Sequence, residues 1–229
     1  NYDSTVGKYL KHRETKFNNK FQALWDYLLN TDSDDLNSNF MYYGKSKFKV
    51  FTDQIVLELK RRRNFSFLQK TSTSNPNLNV PFVYLPVNVD EEMNLLHYAP
   101  FYTNQIEVIR HIAKSIPIDY VLFVKDHFAS KLRGWHEPSY YKEISEIPNV
   151  VLINPNFDND TLVKSSKLIF GIRGTTPLKA LKHGIPSIIF GDQAFKILPS
   201  IFKIDSLTSL PDLILEALSH KVKLFESEQ

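Results

Sequence analysis

The chain contains no cysteine among its 229 residues, so it forms neither disulfide bonds nor thiolate metal sites. This absence fits a reducing compartment, and we expect a cytoplasmic protein. The net charge of +3 is small and gives no support for nucleic-acid binding. No apolar run reaches about 18 residues, so the sequence predicts no membrane-spanning helix.

The first residues include neither an initiator Met nor the apolar core of a signal peptide. We therefore expect a piece of a longer protein, with part of the function lying outside it.

Several binding and catalytic motifs are also absent. No G-x-G-x-x-G follows the first predicted strand, which argues against an NAD enzyme, and no P-loop pattern occurs. The seven histidines lack ligand spacings such as H-x-x-x-H, so we expect no metal ion. Ser139, Ser165 and Ser166 do not lie in a nucleophile elbow.

Residues 1–79 are predicted to be a helical N-terminal segment that ends in a linker, residues 69–79. Two stretches, "FQALWDYLL" and "VFTDQIVLELKRRR", place apolar residues on one helical face. These residues are Phe21, Leu24, Trp25 and Leu28 in the first, and Phe51, Ile55, Val56 and Leu59 in the second.

A basic run, residues 60–63, is predicted to end the second of these helices. The simpler interpretation is that these cations complement the helix C-terminus and face solvent. The alternative is contact with anionic lipid or an acidic polymer.

Residues 80–229 alternate short apolar strands with helices. The strands are "VPFVYLPV", "DYVLFV", "NVVLI", "KLIFGI" and "PSIIF". The helices include "NQIEVIRHIAKSI", where Asn104 and Glu107 are spaced as a capping box, and "TPLKALKHG", where Pro177 is predicted at the first position. Continuous apolar strands between helices predict an α/β protein with a Rossmann-like, doubly wound parallel sheet.

Ligands bind such sheets at the carboxyl ends of the strands. After "DYVLFV" come Lys125, Asp126 and His127, and a lysine near a histidine can hold a phosphate. The alternative is a surface loop whose charges have no ligand.

The turn after "KLIFGI" is the second candidate. Gly171 and Gly174 permit a tight turn, and Thr175 and Thr176 offer hydroxyl groups and amides at the start of a helix, with Thr176 as the predicted N-cap. Such a turn alone is a weak signal, because many turns between a strand and a helix have these residues without binding a ligand. After "PSIIF", Asp192 either accepts hydrogen bonds from sugar hydroxyls or caps the next helix, and we favour the cap.

Five segments occur in an order that resembles a known family. They are "YAPFYTNQIEVIRHIAKSIP", "YVLFVKDH", "SYYKEISEIPNVVLINP", "GTTPLKALKHGIPSIIFGD" and "ILPSIFKI". Over residues 80–219 the chain resembles the C-terminal domain of bacterial capsule and surface-polysaccharide biosynthesis proteins. That group is related to the capsule Kdo transferases and has the GT-B glycosyltransferase architecture.

The resemblance implies the GT-B half that holds a nucleotide-sugar donor, CMP-linked sugars being one candidate. It implies transfer of the sugar to a polysaccharide or glycolipid acceptor, without a metal ion or other cofactor and without nucleic acid. The N-terminal domain, expected to carry the catalytic base, is missing from this sequence, so no catalytic residue is predicted. Peripheral association with the inner membrane is compatible with such a role.

The resemblance also implies site residues. The family's Lys-Glu-His-Pro falls on residues 125–128, its Gly-Thr/Ser turn on Gly174 and Thr175, and its Glu-Ala on Lys179 and Ala180. The predicted donor and phosphate ligands are Lys125, His127, Gly174, Thr175, Thr176 and Lys179. The predicted sugar or base contacts are Asp126, Gln105 and Asp192.

Two positions depart from the family pattern. Phe128 replaces a proline that would make the loop rigid, and Lys179 replaces a glutamate that would accept hydrogen bonds from hydroxyl groups. A cation near the positive end of a helix is also unfavourable unless it meets water or an anion. These departures and the missing half favour one alternative to a transferase, a catalytically impaired nucleotide-sugar-binding or interaction module. A second alternative is a GT-B-like sugar-nucleotide epimerase, which shares the architecture.

Overall fold

The structure is a computed structural model that describes residues 46–89 and 93–220. Its strands are β1 (Phe82–Pro86), β2 (Val121–Lys125), β3 (Val150–Ile153), β4 (Leu168–Gly171), β5 (Ser187–Ile189) and β6 (Ile201–Lys203). Its helices are α1 (Lys47–Thr71), α2 (Met93–Leu96), α3 (Gln105–Ser115), α4 (Ser130–Arg133), α5 (Pro138–Ser145), α6 (Asn159–Ser165), α7 (Thr176–Leu181) and α8 (Leu210–Ser219). Short 3₁₀ helices cover Pro100–Tyr102, Ala194–Ile197 and Leu207–Ser209.

The described strands form one six-stranded parallel sheet with the order β3-β2-β1-β4-β5-β6. The chain builds β1, β2 and β3 outward in one direction and then crosses back to place β4 on the other side of β1. The strand order therefore reverses between β1 and β4, which makes this the topological switch point of the sheet. The predicted α/β Rossmann-like fold is confirmed.

Side chains alternate between the two faces of the sheet, so each face has its own core. Val83 and Leu85 of β1 pack on one face with residues of α3, α5 and α8, whereas Phe82 and Tyr84 pack on the other with residues of α6 and α7. Phe82 stacks on Phe123 of β2 with ring centroids 4.2 Å apart. Helices cover both faces, as a buried parallel sheet requires.

All five predicted strands are present, and β6 is a sixth that the sequence analysis did not predict. It has three residues, of which only Ile201 is buried. So short a run, at the edge of the sheet, has no apolar pattern by which a strand is recognised.

Helix starts agree with the sequence in one case and differ by one residue in another. Asn104 caps α3, and its side chain accepts a hydrogen bond from the Glu107 N–H, as predicted. In α7, however, Thr175 is the N-cap, not Thr176. The reason is that the Lys179 N–H donates to the Thr175 carbonyl at 3.0 Å, so the first helical hydrogen bond begins one residue earlier.

The sheet belongs to a compact unit, Lys60–Gln229, whose division from the preceding unit falls inside α1. The predicted linker, residues 69–79, lies within this unit: α1 runs to Thr71, and Thr73 forms a parallel bridge with Ile153 of β3. The predicted domain boundary between residues 79 and 80 stays a prediction. The predicted helix at residues 21–29 lies outside the described residues.

The basic run, residues 60–63, lies inside α1 and not at its end, because the helix continues to Thr71. The prediction that a helix ends there was therefore wrong. Lys60 Nζ lies 2.6 Å and Arg63 Nη2 2.5 Å from the carboxylate of Glu137. Two of the four cations thus pair with an acidic side chain of the same unit.

The predicted apolar face of this helix is largely exposed: Ile55, Val56 and Leu59 all lie at the surface.

In the part of the chain that the structure describes, no helix combines the length and apolarity needed to cross a bilayer.

Candidate functional site

The carboxyl ends of β1, β2, β4 and β5 lie along one edge of the sheet, because all its strands are parallel. Every residue predicted from the strand ends lies on the segments that leave this edge. Their surroundings differ, and the differences decide what each side chain is able to contact.

Lys125 is the last residue of β2 and is 8% exposed. Its Nζ donates a hydrogen bond to the Phe157 carbonyl at 2.7 Å, on the segment between β3 and α6. The neighbouring Asp158 caps α6; its pKa is lowered, chiefly by the hydrogen bond from the Thr161 hydroxyl, with a smaller contribution from Lys125. Lys125 therefore ties β2 to the loop after β3.

Asp126 is 2% exposed and has a structural environment. Its carboxylate accepts hydrogen bonds from the Ser130 hydroxyl at 2.8 Å and from the Tyr141 hydroxyl at 2.6 Å, and His136 Nε2 lies 3.7 Å away. Burial raises the pKa of Asp126, while His136, Tyr141 and Ser130 act against that shift. The carboxylate thus holds the segment of α4 and α5 against the end of β2.

His127 faces solvent, unlike the two residues before it. Its Nδ1 accepts a hydrogen bond from the Ala129 N–H at 3.2 Å, so the neutral ring carries its proton on Nε2. Phe128, which replaces the family's proline, is half-buried and lies under Lys131 Nζ, 5.6 Å from its ring centroid. Of the three predicted residues at the end of β2, His127 is the one that presents a donor at the surface.

The turn between β4 and α7 depends on its two glycines for different reasons. A Cβ at Gly171 would lie 2.6 Å from Pro177 Cγ, so this glycine allows the helix to approach the strand. Gly174 has φ +117°, a conformation that side chains disfavour. Thr175 is exposed and Thr176 half-exposed.

Lys179 is half-exposed and is the fourth residue of the six-residue helix α7. In so short a helix it belongs to the last turn as well as the first. The helix is too short to keep its two ends apart, so the expected unfavourable placement of this cation at a positive helix end stays a prediction.

Three amide side chains fix the turn at the switch point, and we call Gln105, Asn88 and Gln193 the peptide clamp. Gln105 donates to and accepts from the backbone of Asn88, both at 2.8 Å. Asn88 Nδ2 donates to the Arg173 carbonyl at 2.9 Å, and Gln193 Oε1 accepts from the Gly174 N–H at 3.2 Å. The two polar groups of one peptide bond, Arg173–Gly174, are thus held from β1 on one side and from β5 on the other.

Gln105 is buried, and both of its amide atoms bind the backbone of Asn88. In the structure it positions the backbone of Asn88, and its predicted contact with a sugar or base stays a prediction. Asp192 is exposed, and its carboxylate lies 2.7 Å from Lys196 Nζ, which lowers its pKa. The preferred interpretation of Asp192 as a helix cap was wrong, because Gln193 occupies the N-cap position of the 3₁₀ helix Ala194–Ile197.

Sequence reasoning missed Asn88, Arg173 and Gln193. The Arg173 guanidinium donates to the Asp192 carbonyl and lies 4.7 Å from the ring centroid of Tyr98. These residues follow β1, β4 and β5, and the signal that would have found them is the switch point itself, which requires the strand order. The assignment of donor-binding residues stays a prediction.

No group of three or more histidine, aspartate or glutamate side chains able to hold a metal ion occurs in residues 46–89 and 93–220.

No protein-family model matches the sequence, and no match was found among functionally curated proteins. Solved structures are similar in fold. The β-Kdo 2,7 transferase of Thermosulfurimonas dismutans KpsC is 15% identical, with a TM-score of 0.45 over 71% of this chain and 53% of that chain. The β-Kdo 2,4 transferase of the same KpsC is 13% identical, with a TM-score of 0.46 over 72% and 55%. Kdo transferases are thus among the structural neighbours of this chain.

The UDP-GlcNAc 2-epimerase of Methanocaldococcus jannaschii is also similar, at 15% identity and a TM-score of 0.48, over 84% of this chain and 55% of that one. The chain spans about half the length of each of these three proteins. At these identities and TM-scores the similarity concerns the fold alone.

Proposed function

We propose that the chain is the donor-binding half of a GT-B-type glycosyltransferase of bacterial capsule or surface-polysaccharide biosynthesis. In this proposal it binds a nucleotide-sugar, and a separate domain supplies the acceptor site and the catalytic base. Two things support it: the sequence resemblance over residues 80–219 and the polar site at the switch point.

The observation that carries the proposal is the peptide clamp. Open α/β sheets bind ligands where the strand order reverses, and here that point is between β1 and β4. The clamp fixes the Arg173–Gly174 peptide and therefore the start of the turn that presents Thr175 and Thr176. A turn that is held before a ligand arrives loses less conformational entropy on binding.

The chemistry around the clamp suits a nucleotide that must leave as an anion. The Thr175 and Thr176 hydroxyl groups are hydrogen-bond donors, and Arg173 supplies a positive charge next to them in sequence. Donors that are already in place stabilise the negative charge that develops on the leaving phosphate. In this proposal such groups take the place of a metal ion.

Ligand-induced thermal stabilisation tests the proposal. The chain is melted with CMP, CDP, UDP, GDP or UDP-GlcNAc, the last because one structural neighbour is a UDP-GlcNAc 2-epimerase. A ligand at 100 times its Kd adds about 2.7 kcal/mol, which for a chain of this size raises Tm by roughly 5–10 °C. No shift with any of the five would contradict nucleotide binding by this chain.

A binding module without turnover is the second candidate, because Lys179 stands where the family has glutamate. Lys179→Glu restores the family residue. A change in nucleotide preference or affinity would place residue 179 at the donor, whereas a change in Tm alone would make it a solvent-facing residue. Conversion of UDP-GlcNAc without any acceptor would instead identify an epimerase.

A further inference from the structure

We propose that Gln193 recognises a phosphate group of the nucleotide-sugar through its side-chain N–H. This inference rests on the proposed function and assigns a specificity-determining contact within the same site. It starts from a buried side chain whose two polar atoms have different surroundings.

Gln193 is 9% exposed, at the segment that follows β5. Its Oε1 accepts the hydrogen bond from the Gly174 N–H, which fixes the orientation of the amide. Its Nε2 is buried and has no hydrogen-bond partner within residues 46–89 and 93–220. A buried donor without a partner costs free energy, so natural structures satisfy such groups with protein, water or ligand.

Asn88 shows the same asymmetry on the other side of the clamped peptide. Its Nδ2 donates to the Arg173 carbonyl, which forces Oδ1 to point away, and Oδ1 is buried without a partner among the described residues. The amide orientation is again fixed by the network, since the opposite orientation would place two oxygens together. The two incompletely satisfied amides therefore flank one peptide bond at the switch point.

The charge next to Gln193 indicates what its N–H binds. Arg173 donates to the carbonyl of Asp192, the residue immediately before Gln193, so a guanidinium lies beside this part of the chain, while the carboxylate of Asp192 pairs with Lys196. A positive charge next to an open donor favours an anionic acceptor. Thr175 and Thr176, which follow the clamped peptide, add hydroxyl donors. Among the groups of a nucleotide-sugar, a phosphate oxygen fits this set.

Gln193→Glu is the sharpest test, because it replaces the Nε2 atom that has no partner among the described residues and keeps an oxygen that accepts from the Gly174 N–H. The glutamate retains an oxygen for the Gly174 N–H and replaces the Nε2 donor with a second carboxylate oxygen, which repels phosphate. Because a buried carboxylate costs free energy, we expect a lower Tm without ligand, and a loss of affinity of about tenfold or more for the tightest-binding nucleotide of the panel, measured by calorimetric titration. Gln69→Glu, an exposed residue of α1 with the same change of charge, is the matched control and should bind as the wild type does.

Gln193→Met separates phosphate from a neutral acceptor. Methionine has similar length and no charge, but it lacks both the donor and a good acceptor for the Gly174 N–H, so affinity should fall, although less than with glutamate, which adds a repelling charge. Equal losses in the two variants would overturn the assignment to phosphate. If the glutamate variant does not fold, wild-type affinity in the methionine variant would overturn the contact.

The outcomes separate this inference from the proposed function. If the wild type binds a nucleotide and Gln193→Glu binds it equally well, Nε2 donates to an ordered water and not to the nucleotide. In that case the inference fails, while the proposed function stands. If the wild type binds none of the panel, the proposed function itself fails.

Discussion

The close approach of α7 to the end of β4 predicts a specific energetic coupling between Gly171 and Pro177. A Cβ added at Gly171 would lie 2.6 Å from Pro177 Cγ and 3.2 Å from Cδ. The proline ring cannot rotate away, because its atoms are fixed to the backbone of the helix. Gly171→Ala must therefore move α7 relative to the sheet.

Overpacking of this kind costs about 1–3 kcal/mol. For a chain of this size the expected fall in Tm is roughly 2–12 °C. Pro177→Ala removes the ring atoms that cause the clash and costs about 0.4–1 kcal/mol by itself. In the double variant the two costs should not add, and the coupling should recover most of the loss caused by Gly171→Ala.

Urea unfolding followed by circular dichroism on the wild type and three variants measures this coupling. Gly174→Ala supplies the control: its φ of +117° strains an alanine, but an added Cβ meets no atom within 4 Å among the described residues. Because an alanine Cβ at residue 174 does not contact the proline ring, its cost should change less on Pro177→Ala than the cost of Gly171→Ala does. Additive behaviour of Gly171→Ala and Pro177→Ala would refute the contact as the reason for the glycine.

Three further predictions concern side chains at the strand ends. Asp158→Ala should lower the free energy of unfolding by about 1 kcal/mol, because the variant loses the α6 cap. Since the pKa of Asp158 is lowered, the stabilisation by this carboxylate should be present above about pH 4 and vanish as the pH falls, which urea melts at several pH values will show. The pKa of Asp126 is raised, so its contribution to the free energy of unfolding should be greatest below about pH 4 and decline as the pH rises through the raised pKa. If the free energies of unfolding of the wild type and Asp126→Asn differed by the same amount at every pH, this prediction would be contradicted. His127→Ala should weaken nucleotide binding without changing Tm, because His127 faces solvent. Lys125→Met should lower Tm, because it removes the hydrogen bond to the Phe157 carbonyl. Calorimetric titrations and thermal melts of both variants check this contrast.

The sheet could be predicted because its central strands are continuous apolar runs and its larger helices have a clear 3.6-residue period. β6 could not, since a three-residue edge strand with one buried side chain has no pattern of its own. The position of the site at the strand ends follows from the fold class, but the direction of each side chain does not. Lys125 and Asp126 are adjacent in sequence and both turn into the protein, toward Phe157 and toward Ser130.

The peptide clamp was beyond the reach of sequence reasoning for a different reason. Its members are single amide residues with no motif spacing, and their hydrogen bonds connect positions 17, 19 and 85 residues apart. Gln105 reads as an ordinary first residue of a capped helix, and Asn88 and Gln193 read as loop residues. Their common role is visible only when the strand order brings the ends of β1, β4 and β5 together.

The clamp also requires parts of the chain that are far apart in sequence to come together before the site is complete. The bond between Asn88 and Arg173 closes a loop of 85 residues, and the bond between Gly174 and Gln193 needs β5 beside β4. The conformational entropy of closing a loop of that length must be lost before the hydrogen bond between Asn88 and Arg173 forms. A chain in which β1 and β4 are not yet paired therefore lacks this restraint on the β4–α7 turn. A ligand that requires the clamped turn therefore binds only chains in which β1, β4 and β5 are all assembled, and binding is thermodynamically linked to the cooperative folding of the whole sheet.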